Sequence, residues 1–204
     1  GAGKTTIMNL LLGYLELNEG SLLIGGRPIG EYDVNQLRQS MAVVLQETFL
    51  FQASIRENLT IGTSVKNENE IWEALTRANA VEFVRRLPGK LEYICGGSSK
   101  LSGGERQRLT IARLFLRNPS IVILDEATNR QDMESEHMIQ QALERLRQGR
   151  TTITIAHRLN TIANADKILV FQKGHLMQEG RCEELVNQKG LYKQLFETQG
   201  YMYG

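Results

Sequence analysis

Several features that mark specialised proteins are scarce or missing in this sequence of 204 residues. The two cysteines, Cys95 and Cys182, do not have the spacing of metal ligands and are expected to be reduced thiols. The formal net charge is only +1, so the balance of charge does not favour binding to nucleic acid or to an anionic surface. No apolar run approaches the length of a transmembrane helix, and no signal peptide or internal repeat is visible. These absences leave an ordinary globular domain as the expected class.

The order of the hydrophobic patterns indicates one α/β domain with a helical insert. Hydrophobic residues make up 41% of the sequence and charged residues 23%, as is usual for a globular protein. Strand-like apolar runs alternate with helical patterns towards both ends of the chain, which favours a largely parallel sheet. The predicted elements are strands at 41–45, 121–124 and 152–156, hairpins at 21–29 and 167–179, and helices at 4–15, 138–146 and 190–198. The first helix is expected to carry apolar residues on one face, namely Ile7, Leu10, Leu11 and Tyr14. Between about 55 and 117 the pattern is helical, which indicates a helical subdomain.

The chain begins with Gly1, Ala2, Gly3, Lys4, Thr5 and Thr6, at the expected start of a helix. Glycines let backbone N–H groups turn towards a phosphate, and the start of the helix adds a favourable dipole. In a complete phosphate-binding loop, G-x-x-x-x-G-K-S/T, Lys4 would reach the β- and γ-phosphates and Thr5 would ligate Mg²⁺. The first glycine of that motif would stand before Gly1, so the sequence is expected to be cut inside the loop. On these residues alone, a glycine turn ahead of a helix is the alternative.

Two adjacent carboxylates, Asp125 and Glu126, end the apolar run 121–124. The carboxyl ends of parallel strands line the crevice in which α/β sheets bind their ligands. Asp125 is expected to hold Mg²⁺, directly or through water, and Glu126 to polarise an attacking water. Adjacent side chains on a strand point in opposite directions, so the pair must lie where the strand is ending. Taken alone, the pair also fits a solvated strand terminus.

Ser102, Gly103 and Gly104 stand at the expected start of another helix, ahead of the carboxylate strand. A hydroxyl and exposed N–H groups at that place form an anion site by the same physics as the phosphate loop. Glu105, at the third position after Ser102, also matches a capping box. The two interpretations are compatible.

Taken in this order, these motifs resemble the nucleotide-binding domain of an ATP-binding-cassette (ABC) transporter. The segments 49–59 and 180–195 are similar to those of ABC exporters. The resemblance implies an α/β fold with a P-loop NTPase (RecA-like) core, a mostly parallel sheet and an inserted α-helical signature subdomain. The implied organisation is a single domain over 1–204, with the core at 1–52 and 118–204 and the helical subdomain at 53–117. The strands ahead of the loop and any membrane domain would be missing from this sequence.

The resemblance also implies a role for each matching residue. The catalytic residues would be Glu126, His157 and Gln46, with Glu126 and His157 positioning the water that attacks ATP. The nucleotide-binding residues would be Gly1, Ala2, Gly3, Lys4, Thr5, Thr6, Ser102, Gly103, Gly104, Glu105 and Asp132. The Mg²⁺ ligands would be Thr5, Gln46 and Asp125. ATP and Mg²⁺ are therefore the implied cofactors of an ATPase.

Partners follow from the same resemblance. Two such domains meet head to tail, so Ser102 would complete the ATP site of a second ABC nucleotide-binding domain, in a homodimer or a heterodimer. Closure of the pair would move a transmembrane domain on the same polypeptide. The domain would lie at the cytoplasmic face of the cell membrane, and nucleic acid is not an expected partner. Two alternatives remain: a soluble ABC ATPase that acts on DNA or ribosomes, and a fragment unable to bind nucleotide on its own.

Overall fold

The computed structural model describes residues 2–45, 48–64, 67–96, 100–125, 132–156 and 159–198. The helices are α1 (Lys4–Leu11), α2 (Val34–Ser40), α3 (Ile55–Thr60), α4 (Glu68–Arg77), α5 (Val81–Arg86), α6 (Gly103–Arg117), α7 (Met133–Arg147), α8 (Cys182–Asn187) and α9 (Leu191–Thr198). The strands are β1 (Leu23–Ile24), β2 (Arg27–Pro28), β3 (Met41–Val44), β4 (Ile121–Asp125), β5 (Thr151–Ile155), β6 (Ile168–Gln172) and β7 (His175–Gly180). Among the described helices, none is long and apolar enough to cross a membrane.

The chain divides into two compact units. The first unit is Gly1–Val34 together with Thr154–Gly204, and the second unit is Asn35–Ile153. Each unit contains its own cluster of buried hydrophobic side chains, so each has a core of its own. The predicted boundaries of the helical subdomain, 53–117, stay a prediction.

The second unit contains a parallel pair of strands. Strands β3, β4 and β5 form one sheet in that order, and β3 runs parallel to β4 with Val44 opposite Leu124. Val122, Ile123 and Leu124 are all buried, so both faces of β4 are covered. Cover on both faces is typical of parallel sheets, whose connecting helices pack on the two sides. The predicted α/β class with a parallel sheet is therefore confirmed.

Helix α6 is the centre of the helical packing in the second unit. It packs against α3, α4, α7 and β3. Leu109 and Ala112 are fully buried, whereas Leu116 is half-buried. Ser102 is the N-cap of the helix, and Asn118 is its C-cap, which takes the left-handed conformation with φ 47°. The body of α6 is therefore held by several neighbouring elements.

The first unit is built from two hairpins and the helices α1, α8 and α9. Strands β1 and β2 pair antiparallel around Gly25 and Gly26, and β6 and β7 pair antiparallel around Lys173 and Gly174. Both hairpins are in the places that the sequence predicts. Lys173 and Gly174 have φ values of 49° and 83°, which suits the two-residue turn of a right-twisted hairpin.

The predicted helix 4–15 is wrong at its carboxyl end. Helix α1 stops at Leu11, so Tyr14 is not part of the helix, and it is 62% exposed. The reason is Gly13, at φ 66°, whose N–H bonds to the Leu10 carbonyl while the N–H of Tyr14 reaches back to Asn9. This pair of bonds is a Schellman motif, which ends a helix at a left-handed glycine. The buried side chain of α1 is Met8.

Candidate functional site

The start of α1 has the backbone geometry that a phosphate-binding loop needs. Gly3 is the N-cap residue and lies in the left-handed region, with φ 95°. Any side chain at that φ is strained, so the backbone itself requires glycine here. The Gly3 carbonyl accepts the N–H of Ile7 at 3.1 Å, which begins the helix. The first N–H groups of a helix point outward along its axis, and here they belong to Lys4, Thr5 and Thr6.

The side chains of this first turn suit an anion. Thr5 and Thr6 are exposed, and Lys4 is half-buried. The first turn of α1, all of which the structure describes, contains no acidic residue, so no carboxylate within that turn offsets the positive end of the helix dipole. The binding roles of Ala2, Gly3, Lys4, Thr5 and Thr6 stay predictions, and Gly1 lies outside the described residues.

A contact that the sequence does not reveal supports the loop. The N–H of Gly174, in the turn between β6 and β7, donates to the Ala2 carbonyl at 3.3 Å. A Cβ atom on Gly3 would lie 3.6 Å from the Cα atom of Gly174, which is ordinary contact distance. Two glycines that are far apart in sequence thus bring two backbone segments together. The sequence pattern predicts Gly174 only as part of a hairpin turn.

Asp125 is the last residue of β4, in the position expected of a metal-binding carboxylate. It is half-buried, while Leu124 before it is buried. Because β3 and β4 are parallel and Val44 lies opposite Leu124, the carboxyl ends of both strands meet at one edge of the sheet. Gln46 follows β3 by two positions, and Glu126 follows Asp125, but both lie outside the described residues. Their roles stay predictions.

Ser102 forms the predicted capping box with Glu105. The Ser102 hydroxyl accepts the N–H of Glu105 at 3.2 Å, and a Glu105 carboxylate oxygen accepts the N–H of Ser102 at 2.8 Å. Ser102 is exposed, whereas Gly104 is buried, so the start of the helix faces outward from a packed body. The hydroxyl hydrogen of Ser102 can still be donated, because the cap uses the oxygen as an acceptor. The anion-binding role of Ser102, Gly103 and Gly104 remains a prediction.

Asp132 is the N-cap of α7. Its Oδ1 accepts the N–H of Ser135 at 2.8 Å. Hydrogen bonds from the backbone and the side chain of Ser135 lower the pKa of Asp132, and the positive charge of Arg108 adds a smaller effect. The carboxylate is therefore ionised at neutral pH and holds the first turn of α7. The predicted communication of Asp132 across a dimer remains a prediction.

The predicted site residues divide between the two units. Ala2–Thr6 belong to the first unit, whereas Asp125, Asp132 and 102–105 belong to the second. His157 lies outside the described residues, as do Gly1, Gln46 and Glu126, so the structure does not describe the three predicted catalytic residues.

The residues predicted to bind Mg²⁺ have suitable chemistry. The Thr5 hydroxyl is exposed, and the Asp125 carboxylate stands at a strand end. Hydroxyl and carboxylate oxygens are hard ligands of the kind that Mg²⁺ prefers, and Mg²⁺ is usually bound by only one or two carboxylates together with phosphate oxygens and water. Each of these side chains, taken by itself, therefore has the chemistry of a Mg²⁺ ligand.

A buried asparagine holds the segment that follows Gln46. Asn58 on α3 is 1% exposed, and its Nδ2 donates to the carbonyls of Phe51, Ala53 and Ser54 at 3.0, 3.2 and 3.0 Å. Its Oδ1 accepts the N–H of Phe51 at 2.8 Å and an N–H of Arg113 at 3.2 Å. One side chain therefore fixes this loop to α3, and Arg113 ties both to α6.

Replacement of Asn58 by alanine is expected to lower the free energy of unfolding by about 3 kcal/mol, because the Phe51 amide and the Arg113 guanidinium lose an acceptor. Urea denaturation measures the change. Asn69→Ala, on the exposed surface of α4, is a matched control and should shift stability by less than about 0.5 kcal/mol. Equal effects of the two substitutions would contradict the structural role of Asn58.

The fold and these two local motifs define a class of protein. A glycine-lysine helix start and an acidic residue at the carboxyl end of a parallel strand, in an α/β protein, are features of P-loop nucleotide-binding proteins. The family described as ABC transporter matches residues 1–129. The chain belongs to this family. Its members bind ATP, generally with Mg²⁺, and ATPase activity is general among them.

Several known proteins are similar to nearly all of the chain. The heterocyst differentiation ATP-binding protein HepA of Nostoc is 46% identical over 191 residues, which are 93% of this chain and 32% of that protein. The putative multidrug export ATP-binding/permease protein YgaD of Bacillus subtilis is 46% identical over 200 residues, 98% of this chain and 34% of that protein. The ATP-dependent lipid A-core flippase of Desulfotalea psychrophila is 46% identical over 200 residues, 98% of this chain and 35% of that protein.

A solved structure is also similar to the whole of the chain. The structure of a bacterial Atm1-family ABC exporter with ATP bound has a TM-score of 0.89 and 37% identity, and it covers 100% of this chain and 36% of that one. The chain spans about a third of the length of the curated relatives that it matches.

Proposed function

We propose that the chain binds and hydrolyses ATP as the motor of a membrane exporter. The start of α1 carries this proposal: a left-handed Gly3 leads into a helix whose first turn offers Lys4, two threonines and no carboxylate. The similarity to an export ATP-binding/permease protein and to an ATP-dependent flippase supports coupling to transport. It favours an exporter over an ATPase that acts on DNA or ribosomes.

The roles of the residues follow from their positions. Lys4 would offset the charge of the β- and γ-phosphates, while the first N–H groups of α1 would hold their oxygens. Thr5, Gln46 and Asp125 would hold Mg²⁺, which when bound offsets negative charge on the phosphates. Glu126 would accept the proton of the attacking water, and His157 would orient the γ-phosphate.

A second domain of the same type would complete the site. Ser102 is exposed at the start of α6, while the body of α6 is buried against α3, α4 and α7. The exposed start of α6 is suited to contact a ligand held by another molecule, because the rest of the helix is covered by its neighbours. Ser102, Gly103 and Gly104 of one chain would bind the γ-phosphate of ATP held by Lys4 of the partner. Closure around ATP would then move a membrane domain at the cytoplasmic face of the membrane.

A mixing experiment with the full-length protein tests this arrangement. Lys4→Ala and Ser102→Arg each damage both sites of a dimer, so neither variant alone should retain radiolabelled ATP after rapid filtration. A dimer that contains one chain of each type has one site with both lesions and one intact site. Mixed dimers, isolated with two different affinity tags, should therefore retain about one ATP per dimer.

The control for the mixing experiment is Ser21→Arg, which places the same charge at an exposed serine of the first unit. This variant should retain ATP as the unmodified protein does. Mixed dimers as inactive as the two single variants would contradict the head-to-tail site. In that case, the Lys4→Ala variant by itself would still test whether the start of α1 binds ATP.

A further inference from the structure

Tyr93 reaches from the helical packing of the second unit to the backbone that leads into Ser102. It follows the short 3₁₀ helix Lys90–Glu92, and its ring is half-buried against the hydrophobic core of this unit. Its hydroxyl oxygen accepts the N–H of Lys100 at 3.2 Å, and Lys100 stands two positions ahead of the N-cap of α6. The hydroxyl therefore ties the backbone just ahead of α6 to the packed part of the unit.

The backbone of Tyr93 is itself anchored to the start of α3. Its carbonyl accepts the N–H of Ile55 at 3.0 Å, and the N–H of Cys95 donates to the Ala53 carbonyl at 2.8 Å. The two bonds flank an antiparallel β-bridge. Ile55 and Cys95 are both fully buried. This short ladder gives Tyr93 a fixed base from which its hydroxyl holds Lys100.

Helix α3 is bonded in turn to the body of α6. The Nε atom of Arg113, on α6, donates to the backbone carbonyl of Asn58, on α3, at 2.6 Å. Leu101, between Lys100 and Ser102, is only 4% exposed. The body of α6 and the backbone that enters it are therefore both attached to α3, the first through Arg113 and the second through the ladder and the Tyr93 hydroxyl.

The orientation of Ser102 depends on the backbone that enters α6. Ser102 has the extended dihedral angles of an N-cap, φ −65° and ψ 165°, so its own conformation is not helical. The residues before an N-cap help to set its direction, because its N–H is not bonded within the helix ladder. Without the Tyr93 hydroxyl, water would solvate the N–H of the exposed Lys100, and the backbone ahead of Ser102 would be freer to move.

We propose that Tyr93 is a positioning residue that orients Ser102 towards the ATP of a partner domain, through the hydrogen bond between the Tyr93 hydroxyl and the Lys100 N–H. The proposal rests on the proposed function, in which Ser102 contacts the γ-phosphate of ATP held by Lys4 of the partner. Tyr93 touches no nucleotide in this scheme, and it belongs to none of the motifs that the sequence shows. Its effect must therefore appear at the partner's ATP site and not at the site of its own chain.

Two mixed dimers of the full-length protein test this inference, since they carry the same two substitutions in different chains. Lys4→Ala leaves each dimer with one working ATP site, and Tyr93→Phe removes the hydroxyl but keeps the ring. In the separate dimer, one chain carries Lys4→Ala and the other carries Tyr93→Phe. In the joint dimer, one chain carries both substitutions and its partner is unmodified.

The two dimers should differ in the rate at which radiolabelled ATPγS, a slowly hydrolysed analogue of ATP, dissociates in a filtration assay. In the joint dimer, the working site receives Ser102 from the chain that lacks the Tyr93 hydroxyl. Dissociation should therefore be about three- to tenfold faster than from a dimer with Lys4→Ala alone, as expected for one lost hydrogen bond. In the separate dimer, that site receives Ser102 from a chain with Tyr93 intact, so the rate should stay within about twofold of the same reference.

Equal dissociation rates from the joint and separate dimers would overturn the role of Tyr93, because a general loss of stability affects both alike. Faster dissociation from the separate dimer would overturn it too. Tyr32→Phe is the matched control: it removes a hydroxyl that donates to the Ile24 carbonyl at 2.6 Å in the first unit, and it should not distinguish the two arrangements.

The mixed dimers of Lys4→Ala and Ser102→Arg separate this inference from the proposed function. If those dimers retain no ATP, the head-to-tail site is wrong and the role of Tyr93 is contradicted with it. If they retain ATP while the joint and separate dimers release ATPγS alike, only the role of Tyr93 is contradicted.

Discussion

Replacement of Glu126 by glutamine in the full-length protein is expected to lower ATP turnover at least about 100-fold while ATP binding persists. Glutamine has nearly the shape of glutamate but cannot accept a proton from the attacking water. Asp125, at the end of β4, remains able to hold Mg²⁺. Because hydrolysis no longer releases the two domains, ATP should accumulate in a closed dimer.

Size-exclusion chromatography with ATP, together with a steady-state phosphate-release assay, measures both parts of this result. Glu73→Gln, at an exposed position on α4, makes the same chemical change away from the site and should hydrolyse ATP normally. Full turnover in Glu126→Gln would refute the role assigned to Glu126. Loss of ATP binding in this variant would mean that the carboxylate contributes to binding and not only to the chemical step.

The second large effect is expected at Lys4. Lys4→Ala should weaken ATP binding by about 10- to 100-fold, since a hydrogen bond to a charged group contributes about 1.5–3 kcal/mol. Turnover should fall by about 100-fold or more, because charge on the phosphates also develops in the transition state. The backbone of Gly3 and the rest of α1 should be preserved, since alanine is a good helix former.

Equilibrium binding of a fluorescent ATP analogue and a phosphate-release assay distinguish the two effects of Lys4→Ala. Lys189→Ala removes an exposed lysine between α8 and α9 and should change neither. An unchanged affinity in Lys4→Ala would show that the start of α1 does not hold the phosphates. In that case, this chain would belong to the family without using the start of α1 to bind nucleotide.

Features that depend on a few neighbouring residues were predictable from the sequence. The capping box of Ser102 and Glu105 is one example, because its two hydrogen bonds join residues within a single turn. The turn at Lys173 and Gly174 is another, because two-residue turns favour residues that accept positive φ. The apolar run of β4 was likewise readable as a buried strand, since an uninterrupted run suits a strand covered on both faces.

The limits of α1 show where local patterns failed. Apolar spacing alone continued the helix to Leu15 and placed Tyr14 on its apolar face. The helix instead ends ahead of Gly13, whose N–H donates to the Leu10 carbonyl, while the N–H of Tyr14 donates to the Asn9 carbonyl. The glycine was a usable signal, since a left-handed glycine after a run of apolar residues is a common helix end. The prediction of a helix to Leu15 followed the apolar spacing and not this glycine.

The sequence by itself determined the family, the alternation of strands and helices at both ends of the chain, and the positions at which chemistry is expected, because short motifs encode backbone turns and strand ends directly. Only the tertiary structure decided which polar side chains are buried and what they connect. Arg113 bonds to Asn58 across 55 positions of sequence, and Arg108 meets Met138 across 30. Such contacts arise from the packing of α3 and α7 on α6, and neither the period of a helix nor the spacing of a motif specifies which helices will meet.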